Sequence, residues 1–256
     1  MELGIDGRVA LVAGGGRGLG RAIALTLARE GVDVAVLART AAEVEAVAAE
    51  VRSLGRRAVA LACDATDTSA LGSALDRVRS DLGEPTILVL SQAAMYEPRK
   101  LQFVDEHEMR RLLDTDLLSA LELCRRCLPA MMDARFGRIV ALGSVAAHAG
   151  VSGGTLYSAA KAALEGMVRG LAVDYSRRGI TANVVSVSFA DTERLSGRVQ
   201  GDQEWRDKLV RATATRQIPS ADQIADVVAF LCSPRAAAVT GTVVEATAGG
   251  HLNNLW

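Results

Sequence analysis

The residues Gly14-Gly15-Gly16-Arg17-Gly18-Leu19-Gly20 stand between an apolar stretch, Val9 to Ala13, and a helical run, Arg21 to Arg29. Strand, glycine turn and helix in that order is what a dinucleotide-binding βα unit needs. Glycine lets the backbone turn tightly and approach a pyrophosphate closely. The helix N-terminus then offers free N–H groups and a positive dipole end to the phosphates. A glycine linker is the alternative, but regular patterns abut the turn on both sides and argue against it.

The rest of the chain repeats the alternation. Strands are expected at Asp33–Ala38, Ala58–Ala62, Thr86–Leu90, Gly137–Leu142, Ile180–Val187 and Thr242–Ala246. Helices are expected at Ala41–Leu54, Thr68–Leu82, Asp105–Ala134, Leu156–Arg178 and Ala221–Cys232, with a polar, partly helical segment from Asp191 to Arg216. Alternation of this kind predicts a parallel sheet covered on both faces. No linker or repeat interrupts it, so residues 1–256 are expected to form one doubly wound α/β domain of Rossmann type. In such sheets ligands bind beyond the carboxyl ends of the strands.

A second pattern lies at those ends. Tyr157 and Lys161 are at i and i+4 of a helical run, and Ser144 closes the apolar stretch upstream. Residues at i and i+4 share a helix face. An ammonium beside a phenol favours the phenolate, and a phenol so tuned can exchange a proton with an alcohol or carbonyl oxygen. Alone, Y-x-x-x-K is a common helix-surface pair, and such a serine is more often a loop cap. Together with the glycine turn, spaced G-x-x-x-G-x-G at Gly14, Gly18 and Gly20, the pattern resembles the short-chain dehydrogenase/reductase family. Within that family it resembles the 3-oxoacyl-carrier-protein reductase-like ketoreductases. The resemblance runs from about Arg8 to Gly250, with Ala13 where the family has Thr.

The resemblance implies a seven-stranded parallel sheet of order 3-2-1-4-5-6-7. It implies a carbonyl reductase in which Tyr157 is the general acid, Lys161 the cation beside it and Ser144 the holder of the substrate oxygen. The cofactor-binding set it implies is Gly14, Gly16, Arg17, Gly18, Leu19, Gly20, Arg39, Asp64, Ala65, Ser91, Tyr157, Lys161 and Thr192. An acidic residue at the end of the second strand would select NAD(H). Here Ala38 and Arg39 stand there, and Arg17 faces the same region from the turn. Two guanidiniums and no carboxylate suit a 2′-phosphate, hence NADP(H). Asp67 is read as a helix N-cap.

Three departures from the family pattern bear on activity. The N-N-A-G after strand four is replaced by Leu90-Ser91-Gln92-Ala93, and the P-G after strand six by Val187-Ser188. The helix asparagine that supports a proton-relay water in relatives is Asp116, which cannot donate when ionised. Asp116 is expected to slow that relay or to hold Lys161 charged more firmly. Two other functions therefore stay open: an NADP-linked alcohol dehydrogenase working in the oxidative direction, and a non-catalytic NADPH-binding sensor or scaffold.

The substrate is expected to be a small carbonyl compound, with Met95, Tyr96, His148, Phe189 and Trp205 as candidate contacts. A net charge of −1 gives no nucleic-acid footprint. No apolar run is long enough to span a membrane, and the N-terminus has no leader pattern, so a cytoplasmic location is expected. Cys124-Arg125-Arg126-Cys127 falls inside a helical pattern with no second pair, so no metal or redox site is expected. Relatives pack their two long helices into dimers and tetramers, and a homotetramer is expected here. Leu252, Leu255 and Trp256 are expected to pack at a subunit interface.

Overall fold

A computed structural model describes residues 2–193, 195, 197 and 202–252. Its sheet has seven strands: β1 Val9–Ala13, β2 Asp33–Ala38, β3 Ala58–Ala62, β4 Ile87–Leu90, β5 Gly137–Leu142, β6 Ile180–Ser186 and β7 Val243–Glu245. They lie in the order β3-β2-β1-β4-β5-β6-β7, as expected. Every neighbouring pair is parallel. The α-helices lying wholly among the described residues are α1 Gly18–Arg29, α2 Ala41–Ser53, α3 Thr68–Asp81, α4 Glu106–Leu113, α5 Ser119–Asp133, α6 Thr155–Tyr175, α7 Gln203–Ala212 and α8 Ala221–Leu231.

Alternate side chains of each central strand feed two apolar layers. Ala10 and Val12 of β1 join Ile23 and Leu27 of α1 and Ile224 and Val228 of α8. Leu11 and Ala13 join Leu71 of α3, Leu123 of α5 and Leu164 of α6. Both faces are covered, which is why these strands read as nearly unbroken apolar runs.

Local signals set most ends. Asp67 caps α3 by accepting from the backbone N–H groups of Ser69 and Ala70. Ser220 and Gln223 form a reciprocal capping box at the start of α8. Two boundaries differ from the sequence expectation in ways that matter. The first helix starts at Gly18 rather than Arg21, so the end of the glycine turn is already helical. The long helix expected from Asp105 to Ala134 is broken into α4 and α5 by a π-helical turn, Asp114–Leu118. Buried Asp116 sits in that turn.

Candidate active site

The parallel register brings the carboxyl ends of five strands to one edge. Ala13 pairs with Leu37 on one side and Leu90 on the other, Leu90 with Ala141, and Leu142 with Val185. The loops that follow surround a cleft of about 680 Å³. Gly14, Gly16, Arg17, Gly18, Leu19 and Gly20 line one end of it, and Ser144, Tyr157 and Lys161 also face it.

The turn is held to β2, where the N–H groups of Gly14 and Gly15 donate to the Leu37 carbonyl at 2.7 and 3.2 Å. Gly14 has φ +74°, and a Cβ there would lie 2.5 Å from the Gln92 nitrogen. A Cβ on Gly20 would lie 2.1 Å from the Gly14 oxygen. Neither position admits a side chain without moving backbone. Arg17, the N-cap of α1, makes no side-chain capping bond, so its side chain does not use up the first-turn N–H groups.

The corner beyond β2 corrects the sequence reading. Arg17 and Arg39 line it as expected, but Glu43 lines it with them. Glu43 Oε1 lies 3.8 Å from Arg17 Nη1. Thr40-Ala41-Ala42-Glu43 has the spacing of a capping box, which would fold the glutamate back onto its own helix. Thr40 makes no side-chain capping bond at the start of α2, and the carboxylate turns to Arg17 instead. Asp64, Ala65, Ser91 and Thr192 also reach the cleft. Asp64 is held in place by accepting from the Thr66 backbone and hydroxyl at 3.0 and 2.8 Å.

At the other end, Ser144 Oγ accepts from the Ala146 N–H at 3.2 Å, which leaves its own proton to donate. Tyr157 lies in the first turns of α6. Its ring stacks on Tyr96, centroid to centroid 4.8 Å and 7° from parallel. The Tyr96 hydroxyl donates to the Gly153 carbonyl at 2.9 Å, tying the loop after β4 to the approach to α6. Lys161 Nζ is 5.8 Å from the Tyr157 ring centre. It donates to the Leu142 carbonyl at 3.3 Å and lies 3.1 Å from Asp116 Oδ2. The Lys161 side chain is 4% exposed and that of Asp116 is 0% exposed. Asp116 Oδ1 accepts from the Ala94 N–H at 2.6 Å. The π-helical turn thus delivers a carboxylate to the ammonium and to the loop after β4 together.

Met95, Tyr96 and Phe189 line the cleft, with Leu195 and Val151 beside them. His148 and Trp205 are not among its lining residues. The ring nitrogens of His148 face Glu165 at 3.3 Å and Glu245 at 3.0 Å, which turns the side chain to α6 and β7. Trp205 meets Phe189 edge-on at 6.4 Å and packs behind it in a small apolar cluster with Leu195 and Leu209. Sequence reasoning missed the Tyr96 stack and Glu43; only the capping-box spacing marked Glu43, and it pointed elsewhere.

Cys124 and Cys127 are buried in α5, and burial pushes the Cys127 thiol up to about 12. That is far from the thiolate that redox or metal chemistry uses. Among the described residues no His, Cys, Asp and Glu side chains are grouped to hold a metal ion. Among them also, no helix is long and apolar enough to cross a membrane.

Comparison with known proteins agrees with this architecture. A family model described as Enoyl-(Acyl carrier protein) reductase matches residues 13–251. The 3-oxoacyl-[acyl-carrier-protein] reductase of Pseudomonas aeruginosa is 34% identical over 251 residues, covering 98% of this chain and all of the relative. A 7α-hydroxysteroid dehydrogenase solved with NADH and 7-oxo glycochenodeoxycholic acid superposes with a TM-score of 0.91 at 30% identity, covering 97% of this chain and 96% of the other. A 3-oxoacyl-[acyl-carrier protein] reductase from Brucella melitensis with bound NAD gives 0.86 at 27% identity, covering 97% and 93%. With the sheet order, the glycine turn and matches along nearly its full length, the chain belongs to the short-chain dehydrogenase/reductase family of oxidoreductases.

Proposed function

We propose that the chain is an NADPH-dependent carbonyl reductase. The observation that carries this reading is that Ser144, Tyr157 and Lys161 share one cleft with the glycine turn. A bound dinucleotide supplies the hydride, and the protein supplies position, charge and the proton. The glycine turn and the start of α1 would receive the pyrophosphate, and Arg17 and Arg39 would attract a 2′-phosphate. Asp64 and Ala65 would hold the adenine end of the dinucleotide, Ser91 would contact it farther along, and Thr192 would hold the carboxamide.

Ser144 donates its free hydroxyl proton to the substrate oxygen. Tyr157 protonates that oxygen as it gains charge. Lys161 stabilises the phenolate left behind and would also hold the nicotinamide ribose. Asp116 holds the Lys161 ammonium in place through their 3.1 Å contact. The walls beyond the reacting end, from Met95, Tyr96, Phe189 and Leu195, suit a small ketone with an apolar body.

The test is Tyr157→Phe assayed with NADPH against a panel of ketones. Turnover should fall by about 10²–10⁴-fold with dinucleotide affinity unchanged. Undiminished turnover would sink the mechanism. Tight NADPH binding by the wild type without turnover of any ketone would favour a sensor, and faster rates from alcohols at neutral pH an oxidative dehydrogenase. Assembly as a homotetramer belongs to the same reading. Exposed apolar side chains on the long helices, Leu121 of α5 and Val173 of α6, support it.

A further inference from the structure

Arg17, Arg39 and Glu43 share the corner of the cleft at the carboxyl end of β2. Glu43 lies close against the glycine turn, with its side chain 35% exposed. A Cβ on Gly16 would lie 3.1 Å from Glu43 Cβ, 3.2 Å from Glu43 Oε2 and 3.3 Å from Ala38 Cβ. The bare glycine therefore lets the first turn of α2 press its glutamate over the turn, within 3.8 Å of Arg17. The three side chains together carry one net positive charge where the arginines alone would carry two.

We propose that Glu43 is a specificity-determining residue that offsets Arg17 and makes the site accept dinucleotides with a free 2′-hydroxyl as well as those with a 2′-phosphate. This rests on the reading of the cleft as a dinucleotide site, and it replaces a strict preference for NADPH there with a relaxed one. A 2′-phosphate brings nearly two negative charges and is repelled by a carboxylate beside its binding cation. A 2′-hydroxyl is neutral, can donate to a carboxylate, and loses nothing from its presence. The Arg17 side chain is 68% exposed, so the ion pair itself is weak. Its consequence is the field felt by the ligand, which salt screens.

Isothermal titration of the full chain with NADP+ and with NAD+ tests this directly. Glu43→Gln keeps the size and removes the charge. Glu45→Gln is the control, because Glu45 removes the same charge from the same helix but pairs with Arg52. The wild type is expected to bind the two dinucleotides within about tenfold of each other. Glu43→Gln is expected to raise the preference for NADP+ by about tenfold, through tighter NADP+ binding at nearly constant NAD+ affinity, with a smaller gain at high salt. Adenosine 2′,5′-bisphosphate should gain as NADP+ does, and 5′-AMP should not. An unchanged preference in Glu43→Gln, or an equal change in Glu45→Gln, overturns the proposal. Failure of the wild type to bind either dinucleotide removes the dinucleotide reading itself, and the proposal with it.

Discussion

Lys161 and Asp116 form an ion pair buried from water. Two charges out of water are costly, and their attraction offsets that cost only if the geometry is good and the remaining polar atoms are satisfied. Here Nζ also reaches the Leu142 carbonyl, and Oδ1 takes the Ala94 N–H. Asp116→Ala leaves an ammonium buried without its counter-ion, and should cost about 3–5 kcal/mol in urea unfolding. Asp116→Asn keeps an acceptor for Ala94 and should cost clearly less. The double variant Asp116→Leu with Lys161→Met should recover much of the lost stability while having no turnover, separating what the pair does for the fold from what Lys161 does for chemistry. An Asp116→Ala protein as stable as wild type would show that the ammonium finds other partners. Spacing along the chain brought Ser144, Tyr157 and Lys161 into view because two of them are helix neighbours. The family resemblance, rather than spacing, singled out Asp116, and it left two roles open, a slowed proton relay or a firmer hold on the Lys161 charge; the 3.1 Å contact supports the second. The contact with Lys161 is made by a π-helical turn, and one extra residue in a helical turn has no periodic signature.

At the level of elements, the open edge of the sheet is fastened by Asp33 at the start of β2. The Arg57 backbone and guanidinium donate to its two oxygens, each at 2.9 Å, and Arg56 Nη2 lies 3.1 Å away. Arg57 also donates to the carbonyls of Asp81 and Leu82, so one guanidinium joins β2 to the end of α3. Burial alone would raise the Asp33 carboxyl; the hydrogen bonds from Arg57 and the charges of Arg56 and Arg57 outweigh it and hold it below its ordinary range. A carboxyl lowered in the folded state adds stability that is fully present above its unfolded pKa of about 4, and that is lost as pH falls through the lower folded value. Asp33→Asn should therefore lower the melting temperature at neutral pH, by about 1–3 kcal/mol of stability. The loss should shrink as the wild type is acidified below about pH 4. Parallel curves for the two proteins across that range would contradict it. Helix and strand positions in this region were legible from apolar runs and caps, to within a residue or so. The Asp33 tether was not, since nothing in a strand's own sequence says which arginine of the next loop will return to it.

For the whole molecule, alternation of apolar runs with helical ones was enough to anticipate a parallel sheet, and a parallel sheet collects its loops at one edge. That is why residues as far apart as Gly14, Ser144 and Phe189 could be expected at one cleft before any coordinates. Surface contacts follow no such rule. His148 and Trp205 have the chemistry of ligand contacts, yet the first turns to two carboxylates and the second packs behind Phe189. The same gap applies to assembly. Val173 on α6 is 83% exposed and Leu121 on α5 is 42% exposed, while Leu252 near the C-terminus is 69% exposed. Leu255 and Trp256 lie outside the described residues. If the long helices pair between subunits, an arginine at either exposed site must enter an apolar contact without a partner. Leu121→Arg and Val173→Arg should then each lower the mass measured by light scattering from that of a tetramer to that of a smaller species, more completely on dilution. Deleting residues 251–256 should weaken the assembly if the tail packs between subunits as well. A tetramer that survives both arginine substitutions would mean the subunits meet on another face. An unchanged tetramer after the deletion would remove only the tail from the interface.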